Sequence, residues 1–256
     1  METTIVLIRH GETAWNVSSK LQGHTDTPLN AQGELQALAT ASLLSTGDST
    51  LTPCAVVSSD LQRASRTAAA IAAACGNLPV HLDARLRETN LGAWQGSSWE
   101  AVAREGGGAA LRAWRADPAV RAPGGGESRG ERFSRTATAL QEVALAFLGR
   151  TVAVVGHGGT LEDAWRLAAG APFSEALSMP KLNCSINVIE FAAAPGAAGG
   201  ADAPAAAVAA CAAFSPAGAS PAAARAAFGA WRVVRWGGVA HLGGGGTRND
   251  VESAGV

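Results

Sequence analysis

Thr4-Ile5-Val6-Leu7-Ile8-Arg9-His10-Gly11-Glu12-Thr13 is the stretch from which the rest of the chain is read. Ile5 to Ile8 are aliphatic without a polar break, the pattern of a strand buried on both faces, as in a parallel sheet. Arg9 and His10 fall at the carboxyl end of that strand, where open α/β sheets bind their ligands. Gly11 lets the chain turn there and lets backbone N–H groups approach a ligand closely. A cation beside an imidazole at such a point suits an anion, phosphate above all. The competing reading is a strand that ends in solvated polar residues, and these residues alone do not exclude it.

Working outward, the pattern recurs. Val152-Ala153-Val154-Val155-Gly156-His157-Gly158-Gly159 again runs a buried strand into histidine and glycine. Two adjacent parallel strands would set His10 and His157 side by side at one sheet edge. His157 also opens a helix, where unpaired N–H groups and the dipole favour an anion. Val56-Val57-Ser58-Ser59-Asp60-Leu61-Gln62-Arg63 offers a third strand end, with Arg63 one turn into the next helix. Arg9, His10, Arg63 and His157 would then converge on one small volume. Without neutralising carboxylates, such a cluster makes sense around a dianion.

The intervening chain alternates strands with helices. Asn30 caps a helix to about Thr46, with Leu35, Leu38, Leu43 and Leu44 as its apolar stripe. A strand over 54–57, a helix from Leu61 to Cys75 and a strand over 80–82 follow. Residues 85–98 read as a polar loop, and a helical stretch over 98–117 is broken by Gly106-Gly107-Gly108. A long helix runs from Ser128 to about Leu148, then a strand over 151–155, a helix over 161–169, and strands over 184–191 and 230–236. This order predicts a three-layer α/β/α fold with a mainly parallel central sheet. Residues 1–242 are expected to form a single domain. An Ala/Gly/Pro-rich insertion at 192–228 has too few large apolar residues for a core of its own, and 243–256 reads as a flexible tail.

The 256 residues carry a net charge of −1, so no overall field recruits nucleic acid or an anionic membrane. Lys20 and Lys181 are the only lysines. Four cysteines without a C-x-x-C pattern read as free thiols in a reducing compartment, not as a zinc site. The first strand begins within a few residues of Met1, which argues against a signal peptide, and no apolar run is long enough to span a bilayer. A cytoplasmic protein, monomer or homodimer, is the expectation.

Arg9-His10-Gly11-Glu12-Thr13 with Asn16 resembles the signature of the histidine phosphatase superfamily, in its phosphoglycerate mutase-like branch. In the family's order follow Gln22-Gly23-His24, Ser58 to Ala64, Glu88 with Leu91 to Gly96, Gly125-Gly126-Glu127-Ser128 and His157-Gly158-Gly159. One R-H-G is a weak signal, whereas six blocks in order are a strong one. The resemblance implies that His10 attacks phosphorus to form a phosphohistidine, which requires a neutral ring with its tautomer fixed by a backbone carbonyl. It implies that Arg9, Arg63, His157 and Asn16 hold the phosphoryl oxygens, with Gln22, Gly23 and Gly158 beside the substrate. Glu88 would protonate the leaving alkoxide and then take a proton from water, so its pKa is expected to be raised. No metal and no other cofactor is implied.

The same chemistry serves phosphatases and mutases. The mutases of this family carry a Tyr-Gly, an Asn-Lys and a paired Arg-Arg after the acid. Here residues 97–122 are short, no tyrosine occurs in the chain, and Arg104, Arg112, Arg115 and Arg121 are scattered. A phosphatase acting on phosphoserine or a sugar or sugar-acid phosphate is therefore expected. A phosphoglycerate mutase and a non-catalytic phospho-ligand binding protein are the alternatives. Gly156 stands where the family more often has Ser or Thr, which predicts a looser His157. His24, His81 and His241 are expected to be ordinary surface or hairpin residues.

Overall fold

The computed structural model describes residues 1–193 and 229–242. In chain order the strands are β1 (Glu2–Arg9), β2 (Val56–Ser58), β3 (Val80–Leu82), β4 (Thr151–Gly156), β5 (Ile186–Ala192) and β6 (Ala230–Gly238), paired in the order β3-β2-β4-β1-β5-β6. The first four are mutually parallel, and β5 and β6 complete the sheet as an antiparallel hairpin beside β1. The helices are α1 (Ala14–Val17), α2 (Ala31–Thr46), α3 (Gln62–Ala74), α4 (Trp99–Val102), α5 (Gly108–Ala116), α6 (Arg129–Ala146) and α7 (Gly158–Ala169).

Strand β1 organises the layers. Its side chains alternate between the two faces of the sheet. Val6 and Ile8 pack with Ala41 and Leu44 of α2 and with Ala64, Ala68 and Ile71 of α3. Ile5 and Leu7 pack with Phe133 and Leu140 of α6 and with Ala164 and Leu167 of α7. All four strand residues are fully buried, as expected for a strand covered on both sides. A third cluster, built on Trp94, Trp99 and Trp114 with Leu91 and Leu111, roofs the carboxyl ends of the parallel strands.

Helix α2 corrects its expected stripe. Leu35, Leu38 and Leu43 are exposed, and the buried positions are Gly33, Gln36, Ala37, Thr40, Ala41 and Leu44. The cause is close backbone approach. A Cβ on Gly33 would lie 2.1 Å from the Glu12 carbonyl oxygen, and one on Gly11 would lie 2.4 Å from the Gly33 carbonyl oxygen. The helix therefore presents its small residues inward. Gly11 serves this contact, and its N–H donates to Thr67 Oγ1 at 3.0 Å instead of facing a ligand.

Two boundaries also move. Helix α7 starts three residues before the expected Leu161, and β2 is shifted to Val56–Ser58 by its pairing with Ala153 to Val155 of β4. The expected insertion from residue 194 onward and the expected tail lie outside the described residues. Its flanks meet, because Ala192 of β5 pairs with Ala230 of β6.

Candidate active site

The β1–β4 ladder continues into the site, where the His10 N–H donates to the Gly156 carbonyl at 3.0 Å. His10 Nδ1 lies 2.7 Å from the Gly11 carbonyl oxygen. A carbonyl can only accept, so Nδ1 carries the hydrogen and Nε2 of the neutral ring keeps its lone pair. Burial, reinforced by the charges of Arg63 and Arg9, holds the His10 pKa well below its ordinary value. The ring is therefore an unprotonated imidazole at neutral pH.

His157 stands against it, with ring centroids 5.1 Å apart, as adjacent parallel strands require. Its Nε2 lies 2.9 Å from Ser59 Oγ, which also accepts the Leu61 N–H at 3.3 Å. The Ser59 hydroxyl has no other acceptor among the described residues. If Ser59 donates to Nε2, the ring carries its hydrogen on Nδ1, and only that N–H is left unpaired. The reverse orientation would orphan both the hydroxyl hydrogen and the Nδ1 lone pair, at roughly 1–3 kcal/mol for each. The first arrangement is favoured. Burial, with Arg63 adding to it, keeps this ring neutral as well.

Gly156 does not loosen His157. A Cβ there would lie 2.7 Å from Thr160 Oγ1, so Thr160 fills the space. That hydroxyl accepts the His157 N–H and donates to the Leu86 carbonyl, both at 3.1 Å.

Arg63 is fully buried, with Nη1 donating to the Thr25 carbonyl at 2.9 Å and Nη2 to the Gly23 carbonyl at 2.8 Å. Burial brings its pKa down to about 10, which still leaves it charged at neutral pH. Gly23 has φ +51°, and a side chain there would strike Gln95. Arg9 donates through Nη1 to the Lys181 carbonyl. Gln22 Oε1 accepts from Thr27 Oγ1, Asn16 Oδ1 accepts from the Thr13 N–H at 3.0 Å, and the one Thr13 hydroxyl hydrogen is shared between Asn16 Oδ1 at 3.0 Å and Gln22 Oε1 at 3.1 Å.

Glu88 accepts from the Thr89 N–H at 2.7 Å, from the Thr89 hydroxyl at 3.2 Å and from the Gly159 N–H at 3.2 Å. The amino terminus of α7 thus already faces a carboxylate. Burial pushes the Glu88 pKa up, but Arg132, these N–H groups and Arg63 together bring it below the ordinary value. The expected raised pKa is therefore corrected, because the folded protein holds it low. Fully buried Arg132 is the main reason. It is clamped to Asp163 by two bonds of 2.9 Å and donates to Thr89 Oγ1 at 3.0 Å.

Arg9, His10, Asn16, Gln22, Gly23, Arg63, Glu88 and Gly158 line one cavity of 100 Å³, together with Thr89, Trp99, Trp114 and Lys181. His157 is fully buried and is not among the lining residues. Sequence reasoning missed Arg132, Ser59 and the two tryptophans. Ser59 lay inside a quoted motif, whereas Arg132 reaches Glu88 only through the packing of α6 on α7. His24 is no ordinary surface residue, since its Nε2 lies 2.9 Å from the Glu88 carbonyl oxygen, to which Arg135 also donates. His241 is half-buried, with Nε2 3.0 Å from Thr40 Oγ1. Among the described residues no three His, Cys, Asp or Glu side chains gather as a metal site, and no helix is long and apolar enough to cross a membrane.

Comparison with known proteins matches residues 5–197 to the histidine phosphatase superfamily (branch 1). Phosphoglycerate mutase-like protein 4 of Arabidopsis thaliana is 41% identical over 190 residues, covering 73% of this chain and 79% of the relative. Metal-independent phosphoserine phosphatase of the same plant is 38% identical over 190 residues, covering 74% and 76%. The native structure of a mycobacterial glucosyl-3-phosphoglycerate phosphatase superimposes with a TM-score of 0.67 at 29% identity, covering 93% of this chain and 100% of that one. Paired histidines at the ends of adjacent parallel strands, two arginines and a half-buried glutamate agree with that match, and the chain is an enzyme of the histidine phosphatase superfamily, branch 1.

Proposed function

We propose that the protein is a metal-independent phosphomonoesterase that works through a phosphohistidine on His10. Its substrate is a small phosphorylated metabolite of the phosphoserine or sugar-acid phosphate type, as the names of the relatives suggest. The observation that carries the reading is the His10 ring. It is neutral, and its Nδ1–H is tied to the Gly11 carbonyl, which leaves the Nε2 lone pair for phosphorus in a cavity lined by two arginines.

In the first step Nε2 bonds to phosphorus, the ester P–O bond breaks, and Glu88 gives its proton to the leaving alkoxide. In the second, Glu88 takes a proton from water, the oxygen of that water bonds to phosphorus, and the N–P bond breaks to release phosphate. Arg9, Arg63 and Asn16 offset charge on the phosphoryl oxygens, and the neutral His157 ring, 5.1 Å from His10, backs the site. Glu88 is ionised before substrate arrives, so it gains its acidic proton with the substrate. A nearby phosphate dianion raises its pKa against the pull of Arg132.

Hydrolysis of an aryl phosphate in EDTA, compared with His10→Ala, tests the reading. The wild type is expected to turn over and the variant to be silent, and equal rates would overturn it. A panel of phosphoserine, phosphoglycerates and sugar phosphates separates hydrolysis from transfer. Isomerisation faster than phosphate release, with bisphosphoglycerate present, would favour a mutase.

A further inference from the structure

Next to the reaction cavity lies a second one of 260 Å³, and Trp99, Trp114 and Lys181 belong to the walls of both. The two indoles stack at 5.8 Å, with Trp94 edge-on to Trp114, so the tryptophan part of the shared wall is apolar. Beyond it the lining turns cationic.

The charges there do not balance, because Arg115, Arg129, Arg132, Arg166 and Lys181 share the lining with only Glu162 and Glu175. Arg132 is matched by Asp163, and Arg166 by Glu162 at 3.2 Å, while Lys181 lies 3.7 Å from the same Glu162. Arg129 lines this cavity, is 9% exposed and forms no ion pair among the described residues. Its hydrogen bond runs from Nη2 to the Arg115 carbonyl at 2.6 Å, and its guanidinium lies 5.5 Å from the centre of the Phe173 ring. Arg129 Nε is buried without a partner. Arg115 adds a further cation, held 5.3 Å from the Trp99 ring. Burial, with Arg132 and Arg166 adding to it, holds the Arg129 pKa below its ordinary value despite Glu162. A desolvated guanidinium without a counter-ion is costly, and an arriving anion would offset that cost.

We propose that the second cavity is a subsite for a second anionic group, carboxylate or phosphate, on the far end of the phosphomonoester, with Arg129 as its specificity-determining residue. The phosphoryl group would sit at His10, and the body of the substrate would pass along Trp99, Trp114 and Lys181. The proposal rests on the phosphomonoesterase reading and assigns the second anionic group of such a substrate to this cavity and to Arg129.

The test compares matched substrates in the full-length protein. The first pair is phosphoserine and phosphoethanolamine, which differ by a carboxylate. The second is fructose 1,6-bisphosphate and fructose 6-phosphate, which differ by a phosphate. The wild type should prefer the member with the second anionic group in one pair by about tenfold or more in kcat/KM, the size expected of a charge-assisted hydrogen bond. The preferred pair identifies the anion. Arg129→Met should collapse that ratio toward one, and Arg129→Lys should restore part of it. A purely structural role would lower both members together and leave the ratio intact, and that result overturns the proposal, as does a wild type without preference in either pair. Should Arg129→Met not fold, the wild-type ratios and the lysine variant still decide. If the protein hydrolyses no aryl phosphate, the phosphatase reading itself fails. The subsite is then judged by thermal stabilisation, where 3-phosphoglycerate must exceed glycerol 3-phosphate in the wild type.

Discussion

Two buried neutral imidazoles in one site make the stability of the protein depend on pH in a defined way. His10 and His157 resist protonation in the folded chain, whereas in the unfolded chain each titrates near 6.5. The unfolded state therefore binds more protons below that value, and stability is lost as the pH falls through it toward the depressed folded pKa. Going from about pH 7.5 to about pH 5.5, each ring shifts the unfolding equilibrium about tenfold, so the pair shifts it about a hundredfold, or between 2 and 3 kcal/mol. Urea unfolding at the two pH values, in buffers without phosphate, measures this in the wild type and in a His10→Gln/His157→Gln double variant. His24, His241 and Asp163 titrate in both proteins and cancel in the difference. The double variant should lose less stability than the wild type by about that amount. Equal pH dependence in the two proteins would mean that the rings are not held neutral by burial, and the assignment of His10 as an unprotonated imidazole would fall with it.

Three further outcomes are expected. Ser59→Ala should release the tautomer of His157, visible as a changed pattern of imidazole 15N shifts, and lower kcat/KM about tenfold or more as the ring beside His10 loses its fixed orientation; an unchanged spectrum would refute the hydrogen-bond assignment. Gly159→Ala places a Cβ 2.4 Å from Glu88 Oε1 and 2.9 Å from the Arg132 side chain. It should displace the carboxylate and cut kcat by about a hundredfold, and activity within twofold of wild type would count against Glu88 as the proton donor. Trp231→Ala empties a site that is 1% exposed, beneath β6 and next to Phe191, and also removes a hydrogen bond to Gln141. It should cost about 3–5 kcal/mol in denaturant unfolding, and a loss below 1 kcal/mol would mean that β6 packs more loosely than described.

The strands and the adjacency of β1 and β4 were legible because the aliphatic run ending in Arg9-His10 recurs in the run ending in Gly156-His157. Arg9, His10 and Gly158 follow strand ends directly, whereas Asn16, Gln22, Gly23 and Glu88 were legible only through the resemblance to the histidine phosphatase family. What was not legible depends on contacts between distant segments. Leu35 and Leu38 looked like a core stripe, but the backbone contact between Gly11 and Gly33 turns them outward. Glu88 looked like a carboxyl with a raised pKa, because Arg132 reaches it only through helix packing. His24 reads as a loop residue until the fold brings it to the Glu88 carbonyl.

The hairpin of β5 and β6 has a consequence for how this chain tolerates change. Ala192 pairs with Ala230 and, across β1, with Glu2, whereas Ile186 pairs with Ile8 next to His10. The chain therefore leaves and re-enters the sheet at neighbouring points, at the end opposite the reaction cavity. Closing a longer or shorter connection between two fixed points changes the free energy only with the logarithm of its length. The junction behaves as a splice port, where sequence can be gained or lost without shifting the register of any strand. A reporter domain grafted between Ala192 and Ala230 would leave the far edge of the sheet, and the chemistry there, in place.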